Sequence, residues 1–219
     1  SIRLLAACNS GDTAGGKGQV VGYCSFALYE GEAVAAQDAG RVLIEIARAS
    51  ICNGLDLGPV PDTKGVSWLS QFGATFVTLM KEGKLRGCMG SLSAERLLGE
   101  DVAANALAAA FQDPRFPKLT LEEWPRCGLE VSLLSAAKPV RFADEADLLE
   151  QIRAGEDGLI LEYEGKRATY LPQVWEGLPD KRRFLEELKK KTGLPADTRL
   201  ARCKVSRYRV AKWKQEKLH

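Results

Sequence analysis

The sequence predicts an α+β fold: a mixed or antiparallel sheet with flanking helices and a smaller appended α/β subdomain. Three observations carry this. Strand-like and helix-like stretches alternate irregularly along the 219 residues. Several strands come in pairs joined by short turns, which argues against a doubly wound parallel sheet, where helices cross over between strands. A content of 45% hydrophobic and 27% charged residues supplies apolar mass for one large core or two small ones.

The elements follow in order. Residues 9–18 are small, polar and glycine-rich and read as loop, and 20–28 has the β-branched and aromatic content of a strand. Val42, Leu43, Ile46, Ala47 and Ile51 recur at helical spacing and predict a helix over 38–52, ended near Asn53-Gly54. Gly58, Pro59 and Pro61 mark a loop. Residues 74–80 and 85–89 form a hairpin turned at Glu82-Gly83. Ser93 is the expected N-cap of an alanine-rich helix running to Phe111, with Leu98, Val102, Ala106 and Ala110 on one stripe, and Asp113-Pro114 stops it. A strand at 129–134 precedes a helix capped by Asp144 and closed by Gly155. Two strands, 159–163 and 167–171, lead to a helix capped by Asp180, with Lys189-Lys190-Lys191 at its negative pole and Gly193 just beyond.

Composition narrows the chemistry. The single histidine, His219, is the last residue, so histidine-ligated metal and Ser-His or Cys-His dyads are not expected within this chain. Cys8, Cys24, Cys52, Cys88, Cys127 and Cys203 are widely spaced, unlike zinc or iron-sulfur ligands. No metal and no cofactor is therefore expected, and the thiols predict a reducing, cytoplasmic setting. No apolar run approaches the roughly 18 residues of a membrane helix. Gly11 to Lys17 nearly spells a phosphate-binding loop, but Gly18 stands where Ser or Thr is required and a strand follows where a helix must open. From Lys181 onward, 14 Lys/Arg face 4 Asp/Glu, a local net of +10 that leaves residues 1–180 at −8. A basic end on an acidic body fits a nucleic-acid surface, two parts of one fold in mutual attraction, or a solvated face; nucleic acid is not favoured, because Tyr208 and Trp213 make no stacking platform alone.

The candidate site is Arg86-Gly87-Cys88-Met89-Gly90. Side chains two apart on a strand share a face, which places Arg86 beside Cys88, and a guanidinium or a nearby helix N-terminus favours a thiolate. Gly87 and Gly90 leave room for a ligand or another backbone, and their amides with Arg86 could form an anion-binding concavity. The opposing reading is a buried, inert thiol with glycines that permit tight sheet-to-helix packing. Asp113-Pro114-Arg115-Phe116-Pro117 is either a functional loop or an Asp–Arg pair that fixes a turn. Gln173, within Thr169-Tyr170-Leu171-Pro172-Gln173-Val174-Trp175, either lines a pocket or belongs to a proline-started helix that buries Trp175.

These clusters, with Gly73-Ala74-Thr75-Phe76-Val77-Thr78-Leu79 before Leu85 to Leu92, closely resemble the signature of the AMME chromosomal region family, also called AmmeMemoRadiSam system protein A. Glu130-Val131-Ser132, Asp157-Gly158-Leu159, Phe184-Leu185 and Lys191-Thr192-Gly193-Leu194 match further blocks. Met89 stands where isoleucine is usual, Thr192 where alanine is common, and an aromatic expected near Thr198-Arg199 is absent. Asn9-Ser10-Gly11-Asp12 and Val20-Val21-Gly22-Tyr23 resemble instead the C-terminal end of the Memo-like family, which has the fold of class III extradiol dioxygenases. The resemblance implies that 1–32 is the remnant of a Memo-like domain, not independently folded, before an AMME domain over 33–219. It implies an association with Memo-like and radical SAM proteins but supplies no reaction, so catalysis stays open. The expected role is recognition or modification of a small molecule or protein partner at a cleft where Cys88 and Arg86 act and Gly87, Gly90, Asp113, Arg115 and Gln173 bind. The rival is a non-catalytic adaptor or RNA-binding module using the basic end.

Overall fold

The computed structural model describes residues 3–9, 22–27, 36–63, 66–194, 198 and 200–215. His219, Gly11–Lys17 and most of the expected 9–18 loop lie outside them, as does Arg199. The α+β class is as the sequence predicts. Arg3–Asn9 (β1) and Gly22–Ala27 (β2) pair as an antiparallel ribbon with Cys8 opposite Tyr23. The chain divides into two units, 1–134 with 211–219, and 135–210.

In the first unit, helix α1 (Ala36–Gly54) extends the expected 38–52 by two residues at each end. The hairpin forms as read: β3 (Phe72–Lys81) and β4 (Lys84–Gly90) meet at Glu82 and Gly83, with φ of 53° and 76°. Positive φ at both turn residues is the type I′ geometry, one of the two whose twist matches that of the flanking strands. A short strand, β5 (Arg96–Leu97), pairs with Phe72-Gly73 before α2 (Leu98–Phe111). That pairing keeps the backbone extended up to the helix, so α2 starts five residues after Ser93 and has no side-chain cap; the expected Ser93 cap is corrected accordingly. Strand β6 (Cys127–Leu134) lies beside β3 with Val77 opposite Val131. Leu79, Leu129, Val131 and Leu133 bury one sheet face against Leu43, Ile51, Val102 and Ala106 of α1 and α2.

The second unit opens with β7 (Lys138–Pro139) and α3 (Glu145–Gln151), which Asp144 caps by accepting the Asp147 N–H at 2.9 Å. α3 ends at Gln151 rather than Gly155, which lies in the turn beyond at φ 82°. Strands β8 (Gly158–Tyr163) and β9 (Lys166–Tyr170) form a second hairpin on Glu164-Gly165, again both at positive φ. α4 (Lys181–Thr192) follows, capped by Asp180 and closed by Gly193 at φ 75°. β10 (Lys204–Tyr208) completes the sheet in the order β7-β10-β8-β9, and β11 (Val210–Gln215) returns to the first unit, giving the order β11-β6-β3-β4. Phe184 is fully buried against Trp175, their rings stacked with centroids 3.6 Å apart. No helix among the described residues is long and apolar enough to cross a membrane.

Several cations of the basic end are held by protein carboxylates or carbonyls. Lys189, only 5% exposed, bonds Glu145 at 2.6 Å; Lys190 bonds Glu187; Lys191 donates to the Thr169 carbonyl at 3.1 Å. Arg209 pairs with Glu156, and Lys212 with Glu130.

Candidate functional site

β4 is an edge strand, so alternate peptide groups along it have no sheet partner. At Cys88 the loop after α2 supplies both partners. Asp113 Oδ2 accepts the Cys88 N–H at 2.9 Å, and Arg115 Nη2 donates to the Cys88 carbonyl at 3.2 Å. Asp113 and Arg115 also bond each other, through Nε at 2.9 Å and Nη2 at 2.6 Å, and Asp113 Oδ1 accepts the Arg115 N–H. Asp113 is 4% exposed. The loop thus holds an Asp–Arg pair that fixes its turn, and the turn in its place holds the candidate strand.

The thiol itself points away from the core. Thr78 lies opposite Cys88 and its hydroxyl donates to Sγ at 3.2 Å. Cys88 is part-exposed and outside the apolar cluster, whereas Met89, one residue on, packs against that cluster, as does the part-exposed Cys52. Cys127 and Cys203 are buried, and desolvation pushes both thiols up from their ordinary value.

Arg86 does not share the thiol's surroundings, and here the sequence reading is corrected. The β3–β4 register runs from Leu79 opposite Gly87 to Met80 opposite Leu85, so Arg86 is the extra residue of a β-bulge. A bulge breaks strict alternation and re-aims the side chain. Arg86 is 7% exposed, bonded through Nη2 to the Pro117 carbonyl and to Glu123 Oε2, each at 2.9 Å. Lys81 bonds the same carboxylate at 2.6 Å. The guanidinium is a strut under the 113–123 loop, not an open anion anchor. Phe116 lies against both Arg86 and Arg115, 5.8 and 5.5 Å from its ring centre.

The glycines are likewise occupied. A Cβ on Gly87 would sit 2.1 Å from the Ala109 carbonyl oxygen of α2, and one on Gly90 would sit 2.3 Å from the Phe76 ring. The room goes to helix and ring, and the Cys88 amide between the two glycines already donates to Asp113. Gln173 belongs to the second unit, in the 3-10 turn Pro172–Glu176, and its Oε1 is buried without a partner. In that proline-started turn Trp175 is buried, its indole N–H donating to the Asp157 carbonyl at 2.8 Å.

A second polar cluster escaped sequence reasoning. Asp101, 1% exposed, accepts from the Thr75 amide and hydroxyl at 2.8 and 2.7 Å and from Asn105 Nδ2 at 2.9 Å. Its other oxygen accepts from Ser91 Oγ at 2.7 Å and from Arg96 at 3.1 and 3.0 Å. It ties the segment just after Gly90 to α2. The available sign was an Asp and an Asn four residues apart inside an alanine-rich helix, one face carrying polar groups that need partners.

The electrostatics predict acid sensitivity. Arg115's hydrogen bond, helped by the amides of Cys88 and Arg115, holds Asp113 well below the usual carboxylate range against the opposing effect of burial. Arg86 first and Lys81 second hold Glu123 down at about 2. Both pKa values are lowered on folding, so the unfolded chain takes up protons first as the pH falls. The stabilisation is complete above the ordinary carboxyl range of about 4 and drains away toward pH 2. Asp113→Asn, followed by urea unfolding at several pH values, should flatten that slope; an unchanged slope would mean that this pair does not couple to folding.

The AMMECR1 family pattern matches residues 44–213. The chain is 38% identical over 165 residues to a protein of Methanothermobacter thermautotrophicus, covering 74% of this chain and 85% of that one. It is 38% identical over 177 residues to a protein of Saccharolobus solfataricus, covering 74% of each. The crystal structure of uncharacterized protein PH0010 from Pyrococcus horikoshii superposes with a TM-score of 0.69 at 30% identity, covering 81% of this chain and 92% of that one. The strand carrying Cys88, the loop that clamps it and the helix behind it all fall within the matched span, and the chain belongs to the AMMECR1 family.

Proposed function

We propose that the protein recognises or modifies a small molecule or protein partner at the sheet face that presents Cys88. One observation carries this reading: the Cys88 peptide group is clamped on both its N–H and its C=O while its sulfur stays outside the core and part-exposed. A side chain on a strand so fixed is pre-positioned for an incoming group, and Asp113 and Arg115 are its positioning residues. The resemblance of 1–32 to a Memo-like terminus supports a partner from a Memo-like or radical SAM system. The rival RNA-binding reading is weaker, because Lys189, Lys190 and Lys191 each already hold a protein partner.

Iodoacetamide labelling at neutral pH, read by peptide mass spectrometry, tests it. Cys88 should label at least about ten-fold faster than Cys127 and Cys203, because sealed thiols react only through opening. It should also label ahead of Cys52. Equal or slower labelling of Cys88 defeats the reading.

A further inference from the structure

The register of the first sheet places a cavity next to the Cys88 row. Thr78 stands opposite Cys88 on one side and Glu130 on the other, so thiol, hydroxyl and carboxylate form one cross-strand row. Side chains alternate, so the next row on that face belongs to Met80, flanked by Leu85 and Gly128. Gly128 has no side chain, and the gap it leaves is the floor of a groove of about 780 Å³ lined by Met80, Pro125, Arg126, Glu130 and Lys214. That size falls among small-molecule sites, and glycine within a strand is a place where a ligand comes close.

The charges of the groove are unequal. Arg126 is matched by Glu82. Glu130, with its side chain 13% exposed, takes two ammonium groups, Lys212 at 2.8 Å and Lys214 at 3.3 Å. One carboxylate against two cations leaves a positive charge over, and Lys214, 62% exposed, is the member that lines the groove. Lysine acts on anions as a point charge, without the planar demand of arginine. Gln215 also lines the groove, with its Oε1 buried and unpartnered, an acceptor for a donor on the ligand after a small turn of the amide. The Met80 thioether is a favourable neighbour for a ring.

We infer that this groove seats a flat, largely apolar molecule bearing one anionic group, carboxylate or phosphate ester, with Lys214 as its counter-ion. This deepens the reading of the Cys88 face and rests on it only in that the groove adjoins that row. It also replaces Arg86 with Lys214 as the anion anchor of that face.

The test titrates the full chain with benzoate, phenyl phosphate and, as a neutral control, benzyl alcohol, followed by amide proton–nitrogen NMR spectra. The anions should shift the Gly128, Glu130 and Lys214 amides saturably and bind more tightly than the alcohol, and the tighter of the two tells carboxylate from phosphate. Lys214→Gln should weaken the anions about five-fold, the scale of one exposed charge contact, while Lys214→Arg keeps most of the affinity. Unshifted amides, or shifts indifferent to Lys214→Gln, overturn the inference whatever Cys88 does. Saturable Lys214-dependent shifts alongside an unreactive Cys88 uphold the groove and remove only the reading it adjoins.

Discussion

Replacing Asp101 with asparagine should lower the unfolding free energy of the first unit by about 3–5 kcal/mol, the scale for breaking a buried charge network by changing one partner. The reason lies in the kind of neighbour. All six bonds to the Asp101 carboxylate come from donors: the Thr75 amide and hydroxyl, Asn105, Ser91 and the Arg96 Nε and Nη2. Asparagine must turn an amide NH2 toward three of them, and donors facing donors leave the buried groups unsatisfied. Thr75→Val removes a hydroxyl that donates to Asp101 and accepts from Asn105, and should cost about 2 kcal/mol, the scale of a hydrogen bond to a charged group. Guanidinium unfolding of both variants measures the contrast. An Asp101→Asn loss no larger than that of Thr75→Val would show that the carboxylate charge is not what holds the 90–96 loop to α2.

How much of this was legible in sequence depends on how local the cause was. The hairpin turned at Glu82-Gly83, the strand pair 159–163 and 167–171, and the caps at Asp144, Asp180 and Gly193 are set by residues a few positions apart, and the structure forms each within one to three residues of the expected bounds. β5 and the delayed start of α2 depend on Phe72 and Gly73, some 24 residues upstream, which no window around Ser93 contains. β10 and β11 were not read as strands. Their lysines and arginines look like a solvated run, while their β character comes from β8 and β6, far off in sequence, and their charges are met by Asp157 and Glu130.

The site divides the same way. Period-two alternation correctly put Cys88 on a strand but failed at Arg86, because one inserted residue on β4 reverses the faces and nothing in Leu85-Arg86-Gly87 announces a bulge. The pairing of Asp113 with Arg115 was readable at a spacing of two. That the pair caps the edge of β4 was not, since edges are a property of the assembled sheet. Glu123, the partner of Arg86, lies in a loop that sequence reading passed over, and the burial of Arg86 made such a carboxylate necessary.

The second large effect belongs to Gly87→Ala. An added methyl at Gly87 would lie 2.1 Å from the Ala109 carbonyl oxygen and 3.1 Å from its carbon, both backbone atoms of α2, so no side chain can swing aside. Either β4 lifts from α2 or α2 shifts against α1, whose Leu43, Ala47 and Ile51 are buried on the same core. Overpacking of this kind costs typically 1–3 kcal/mol, and rigid backbone on the receiving side places it at the upper end, about 3 kcal/mol. Lifting β4 would also stretch the Cys88 N–H from Asp113 and its carbonyl from Arg115, so the clamp should loosen along with the packing. Chemical unfolding should therefore show the lost stability, and hydrogen exchange of the Cys88 amide should accelerate by more than global destabilisation explains. Met89→Ile is the control: a near-isosteric change at a part-buried neighbour should cost under about 1.5 kcal/mol and leave that amide protected. If Gly87→Ala unfolds like the parent and its Cys88 amide exchanges no faster, the strand is not pinned between helix and loop, and the fixed presentation of the thiol loses its physical basis.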